Sequence, residues 1–340
     1  MKQLIKSNIK SLASIIGRHK WKPRQPNLLI LAYHRILPKS DPRYLYEQPT
    51  MVVTPETFDQ NLAWTAKYFE FISLSQWLKG FASNTLEAKN YCAITFDDGW
   101  IDNLYYALPV LEKYRAPATI YCVANMLEGK QNYWPGLLTT LIRECARRFP
   151  TGSYLDKSAF DWLKHACQNR SDINWTAPLT RDIDIIVELV KIYRDLEIFQ
   201  HIEETRSALN LDYCDERQLL NVTELKAMIA TGLIEIGSHT SHHIRLTSET
   251  QNDVLHREIV DSKKILAQLL DVDIETFCYP NGYHPENAAN MVGQHYLGAC
   301  TLEKGWNSCH SNTAKLRRVS LHETTARNKN HFHARLSGWI

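Results

Sequence analysis

Four sets of chemically able side chains each follow a short apolar run in this sequence: His34, the pair Asp97-Asp98, the pair His239 and His243, and Pro280-Asn281. Two adjacent carboxylates behind a buried run need partners such as a metal ion, because burying an unpaired ionised group is costly. Histidines four residues apart at a strand exit can place two imidazoles around one ion, and a carboxylate from another strand would complete a ligand set that zinc favours. Each set also has a plainer reading. Asp-Asp-Gly is a common turn, and a single histidine is more often structural than a ligand. His242, between the two candidate ligands, would point elsewhere on a strand or a turn. The functional reading rests on the four sets sharing one topological position.

The apolar runs are the elements that must hold these groups. Residues 28–33 are continuously apolar, the pattern of a strand buried on both faces, and end in His34-Arg35. Residues 91–96 run into Asp97-Asp98-Gly99, residues 233–237 into Ser238 and the histidines, and residues 276–279 into Pro280-Asn281-Gly282. Residues 118–123 form a further short strand pattern. Helical patterns lie between these runs, one opened by Thr54 as N-cap with Pro55 behind it, another expected to open at Thr223. This alternation predicts parallel βαβ units. In a parallel α/β barrel the C-terminal strand ends converge on one mouth, where active sites are built.

Residues 133–219 break the alternation, carry helical spacing (Ile183, Ile186, Val187, Val190, Tyr193) and no chemical motif. The expected organisation is a basic amphipathic arm over 1–26, a barrel over 27–132 and 220–340, and a helical insertion over 133–219.

The chain has 340 residues, 44% hydrophobic and 22% charged, which excludes disordered and fibrous classes. There is no run of 18 or more apolar residues to predict a membrane span. A net charge of +2 argues against a nucleic-acid partner. The charge is unevenly placed: residues 1–24 hold seven Lys/Arg and no acid, leaving the rest at −5. Leu4, Ile5, Ile9, Leu12, Ala13 and Ile16 recur at helical spacing with Lys2, Lys6 and Lys10 on another stripe. Two readings of this arm stand: peripheral contact with an anionic membrane, or a helix that docks on the barrel. The arm lacks the features of a secretory signal, so the expected compartment is the cytoplasm, with attachment at the inner membrane face if the first reading holds. Eight scattered cysteines without a CxxC pair read as reduced thiols.

At these residues the sequence resembles the polysaccharide deacetylase (NodB-homology) family, carbohydrate esterase family four, in its exopolysaccharide-associated form. Thr95-Phe96-Asp97-Asp98-Gly99 resembles the first motif, and His239-Thr240-Ser241-His242-His243 matches the second, H-[ST]-x-x-H. Phe277–Gly282 resembles the third motif in its Y-P-x-G form. Tyr33-His34-Arg35, Arg318-Val319 and the stretch from Phe332 to Gly338 resemble the start and end of such members. Two departures stand out. The arginine often found in the third motif is missing, with Cys278 and Tyr279 in its neighbourhood, and an Asp-x-x-Asp-Trp fourth motif is not visible. The group that orients the catalytic acid is therefore unassigned.

The resemblance implies a deformed (β/α) barrel of about seven strands that removes N-acetyl groups from an amino sugar in a polysaccharide, oligosaccharide or lipid-linked precursor. It assigns Asp98, His239 and His243 to a divalent metal, zinc first, with cobalt, nickel or iron also fitting. Asp97 becomes the general base, the Asn281 backbone N–H the oxyanion donor, and a histidine the acid that protonates the leaving nitrogen. Two histidines compete for that last role. His34 ends the first strand, as if the family's C-terminal hydrophobic-run-then-His motif had moved there by circular permutation. His322 presents the same pattern near the C-terminus. The permutation favours His34, with Arg35 as a helper or a plain surface charge. Competing functions are O-deacetylation of glycan esters and glycan binding without turnover.

Overall fold

The computed structural model describes residues 13–14, 16–45, 47–127, 132–168, 170–211 and 217–338. Two compact units divide the chain: Met1–Tyr44, Pro49–Glu128 and Leu219–Ile340 form one, Leu45–Gln48 and Gly129–Gln218 the other.

In the first unit, seven parallel strands close a barrel among the described residues: β1 (Asn27–Tyr33), β2 (Asn90–Phe96), β3 (Ala118–Cys122), β4 (Ile234–Ser238), β5 (Thr276–Cys278), β6 (Gly298–Lys304) and β7 (Leu316–Ser320). Their order around the barrel follows the chain, and β1 closes the ring by pairing with β2 on one edge and β7 on the other. The β1–β2 register runs in step from Asn27↔Asn90 to Tyr33↔Phe96, so His34 and Asp97 leave the sheet side by side.

Strand alternation decides which side chains enter the barrel. Leu28, Ile30, Tyr91, Ala93, Tyr121, Cys278, Cys300 and Leu316 form one buried cluster with Leu74, Trp77 and Leu78 of the helix Leu74–Ala82. The alternate residues Leu29, Leu31, Tyr33, Cys92, Ile94 and Phe96 belong to the larger cluster shared with the surrounding helices. His34, Asp97 and Arg318 have the parity of the first set, so alternation turns them inward. The interior is tight. A Cβ on Gly237 would lie 2.3 Å from the Tyr121 ring, so only glycine fits there.

Helix caps follow their local sequences. Thr54 caps the helix Pro55–Thr65, its Oγ1 accepting from Thr57 N–H at 3.3 Å. The helix expected to open at Thr223 opens two residues earlier. Asn221 accepts from Glu224 N–H while Glu224 reaches back to Asn221 N–H, both at 2.9 Å, and this capping box displaces Thr223 into the first turn.

The second unit is helical, with longer helices at Trp134–Arg148, Thr180–Val190 and Asp195–Ala208 around its own apolar core of Leu138, Leu141, Ile142, Ile186, Val190 and Ile198.

Most of the basic arm, residues 1–12 and 15, lies outside the described residues, so its expected amphipathic helix does too. From residue 13 the chain packs against the C-terminal helix Lys329–Leu336: Ala13 is buried, Ser14 Oγ reaches Asn330 Oδ1 at 3.4 Å, and His19 meets the edge of His333. No helix among the described residues is long and apolar enough to cross a membrane.

Candidate active site

The site grows out of the turn after β2. Asp98 and Gly99 both take positive φ, 75° and 70°, which is costly for a residue with a Cβ. The turn presses Gly99 against Cys122 at the end of β3 and sends the two aspartates in different directions.

Asp98 turns to the loop after β4. Its Oδ1 lies 3.4 Å from His239 Nε2 and 3.3 Å from His243 Nε2, while its Oδ2 accepts from Trp100 Nε1 at 3.0 Å. Burial would raise its pKa, but the two imidazoles outweigh burial and hold the carboxyl well below the usual range. His239 Nδ1 donates to the Cys278 carbonyl at 2.7 Å, which fixes the ring with Nε2 toward Asp98. His243 is brought round by positive φ at Thr240 and at itself, and its N–H donates to Thr240 Oγ1 at 2.8 Å. One ligand atom from each of the three residues lies within 4.8 Å of the others. One carboxylate oxygen and two imidazole nitrogens, with Asp98 held by Trp100 and His239 by the Cys278 carbonyl, fit a divalent transition-metal ion. His242 points away, as its position suggested. It bonds Glu258 Oε1 through Nδ1 at 2.7 Å, and buried Glu258 also accepts from the N–H groups of Ser241 and His242.

Asp97 has a different partner. Arg318, on β7, donates Nη1 to its Oδ1 and Nη2 to its Oδ2, both at 2.7 Å, and also donates to Thr301 O, Thr95 Oγ1 and Cys278 Sγ. The partner that a buried Asp97 carboxylate needs is therefore a guanidinium. Burial again acts to raise the pKa, and Arg318 reverses it to a net lowering. Asp97, His239 and Cys278 also lie within reach of one ion. The Arg318 charge against Asp97 and the burial that pushes the Cys278 thiol far up argue against a cation there.

His34 Nε2 stands 3.8 Å from Asp97 Oδ2, one-fifth exposed. His322 caps the short helix Glu323–Ala326 instead, its Nδ1 bonded to Thr324 Oγ1 at 2.9 Å. Asn281 occupies the turn after β5 with φ 53°. The turn's hydrogen bonds come from Gly282 N–H and Tyr283 N–H, not from Asn281 N–H. Arg35 is not a surface charge: it is 1% exposed and pairs with Asp102 at 2.9 Å.

The structure therefore gathers Asp98, His239 and His243 into one cluster and sets His34 beside Asp97. Sequence reasoning missed the role of Arg318. In the sequence Arg318-Val319 stands out only by resemblance, and the available signal is strand parity, which places Arg318 on the inward face with Leu316.

The polysaccharide deacetylase family model matches residues 86–159 and 200–298. No curated protein sequence matches the chain significantly. Among solved structures, the deacetylase PplD from Streptococcus pyogenes, in complex with acetate, superposes with a TM-score of 0.57 at 19% identity, covering 90% of this chain and 96% of that one. IcaB from Ammonifex degensii gives 0.57 at 16% identity, covering 92% and 100%. A de-N-acetylase from Aggregatibacter actinomycetemcomitans gives 0.51 at 15%, covering 87% and 95%. At such identities these likenesses establish the fold.

Proposed function

Because the chain belongs to the polysaccharide deacetylase family, which hydrolyses acetyl groups from glycans, we propose that it is a metal-dependent N-deacetylase acting on an amino sugar in a polysaccharide, oligosaccharide or lipid-linked precursor. The observation that carries this reading is the separation of the two aspartates, Asp98 facing two imidazoles and Asp97 facing a guanidinium and His34.

Asp98, His239 and His243 would hold the ion, zinc first by donor type. When bound, such an ion supplies Lewis acidity, polarising a carbonyl and lowering the pKa of water.

The protein's own groups divide the proton traffic. Asp97, kept ionised by Arg318, accepts the proton of the attacking water through an oxygen that the guanidinium leaves a lone pair on. The Asn281 N–H donates to the carbonyl oxygen as negative charge develops there. His34 gives a proton to the leaving nitrogen as the C–N bond breaks, since an amide nitrogen leaves poorly without one. Acetate and a free amine result. Tyr283, two residues past Asn281 and half-exposed, offers an aromatic face of the kind sugars stack on.

Lipid contact by the N-terminal arm is part of this proposal. Ile16 and Trp21 are 47% and 58% exposed and joined by a Trp21 Nε1–Ile16 O hydrogen bond, in a segment rich in Lys and Arg.

The test is acetate release from matched N-acetylated and O-acetylated oligosaccharides, before and after chelation and after zinc is restored. Amine formation that chelator abolishes and zinc restores supports the reading. Release from esters alone makes the protein an O-deacetylase, and binding without release makes it a glycan-binding protein. Asp98→Ala, His239→Ala and His243→Ala should each lose bound metal and activity while remaining folded.

A further inference from the structure

The half of Asp98 that faces away from the histidines leads to a second buried group. Its Oδ2 accepts from Trp100 Nε1 at 3.0 Å, and the Arg35 guanidinium lies over the Trp100 ring, 4.2 Å from its centroid. Arg35 in turn pairs with Asp102, its Nε and Nη2 both 2.9 Å from Oδ2. Asp102 uses its other oxygen to accept the Ile36 N–H at 2.8 Å, and the neighbouring Asn103 donates Nδ2 to the His34 carbonyl at 2.9 Å. The residues on either side of Arg35 are therefore held by consecutive residues of the segment that follows the aspartates.

Stability alone is a poor reason for this arrangement. Arg35 and Asp102 are 1% and 0% exposed, and desolvating two charges so fully gives back little net stability over an apolar pair of the same volume. What an ion pair with a stacked ring does provide is direction. Arg35 fixes the plane of Trp100, and the indole N–H fixes the rotation of Asp98. Asp102 and Asn103 fix the backbone that carries His34 towards Asp97.

We propose that Asp102 and Arg35 form a buried clamp of positioning residues, which orients the metal-binding carboxylate through Trp100 and the proton-donating His34 through its backbone, so that one ion pair sets the spacing between the two halves of the reaction. This rests on the reading of Asp98 as a metal ligand and His34 as the acid.

The test uses the full chain and three variants. Trp100→Phe keeps a ring beneath Arg35 and deletes the N–H. Asp102→Asn keeps an acceptor for Ile36 N–H and deletes the charge. Arg35→Lys keeps a charge for Asp102 and carries the same test if Asp102→Asn does not fold. Zinc affinity is measured by competition with a chromophoric chelator, kcat and KM at limiting and saturating zinc, and thermal unfolding in parallel.

Trp100→Phe should bind zinc about 10–100-fold more weakly, with kcat recovered at saturating zinc. Asp102→Asn and Arg35→Lys should also bind zinc more weakly, yet keep a lowered kcat at saturation, because His34 has moved as well. Variants that melt earlier but bind zinc and turn over like the wild type would reduce the clamp to packing and overturn the proposal. A wild-type protein that takes up no zinc would overturn the metal reading of Asp98 instead, an outcome distinct from variants that match a zinc-binding wild type.

Discussion

Replacing Arg318 by methionine tests whether a buried charge pair, rather than a metal, keeps Asp97 ionised. Asp97 is 3% exposed and Arg318 1%, so Arg318→Met leaves a carboxylate in the barrel without its guanidinium. Removing one partner of such a pair costs roughly 3–5 kcal/mol. The cost should depend on pH in a direction opposite to that of the wild type. In the wild type the folded pKa of Asp97 is lowered from 3.8, so its stabilisation is full above that value and lost as pH falls through the folded one. In the variant, burial without the cation raises the folded pKa above 3.8. The deficit is then absent at low pH and grows by about 1.4 kcal/mol per pH unit until the raised value is reached. Above the raised value the deficit holds at its final size of about 3–5 kcal/mol. Urea unfolding from pH 4 to 8 measures this directly. Adding Asp97→Asn to Arg318→Met should recover about 2 kcal/mol at pH 7, since the unpaired charge is gone, while activity stays lost. A pH-independent deficit, or a double variant no more stable than Arg318→Met alone, would refute the assignment.

Three other expectations follow from the same structure. His34→Asn should keep bound metal and lose amide hydrolysis far more than ester hydrolysis, whereas His322→Ala stays active; the reverse pattern in acetate release would move the acid to the C-terminal end. His19 and His333 are buried edge to edge, and burial first, then charge, lowers both pKa values to about 4. The unfolded chain therefore binds more protons between about pH 6.5 and 4. Stability should fall with acidity across that window by at most about 1.4 kcal/mol per pH unit for each histidine, and His333→Phe should flatten the slope in melts at pH 7.5 and 5. Anionic liposomes should sediment the full chain more than a variant starting at Asn27, and equal sedimentation would remove the lipid proposal for the arm.

The part of the site legible in the sequence was the part that barrel topology imposes. Parallel strands that follow one another around a ring bring their C-terminal ends together whatever the register, so His34, Asp97-Asp98, the histidine pair and Pro280-Asn281 could be gathered from their places after apolar runs. The ion-pair chemistry was illegible because it depends on register and closure. Asp97 and Arg318 are 221 residues apart, and they meet because β1 pairs with both β2 and β7. In the string Lys-Leu-Arg-Arg-Val, Arg317 and Arg318 look alike as surface charges. Alternation alone separates them, turning Arg317 out to solvent and burying Arg318. The same limit applied to Arg35, which the string leaves beside a histidine at an apparent loop start and the fold buries against Asp102. The misplaced helix start had a local cause and a local signal, since Asn221 followed three residues later by Glu224 is a capping-box pattern that outranks a threonine within it. A third motif without its arginine looks defective when motifs are matched one at a time. Within the closed barrel the guanidinium arrives from the last strand instead, with Cys278 accepting one of its hydrogen bonds. Asp97 thus has its cation although the third motif holds no arginine.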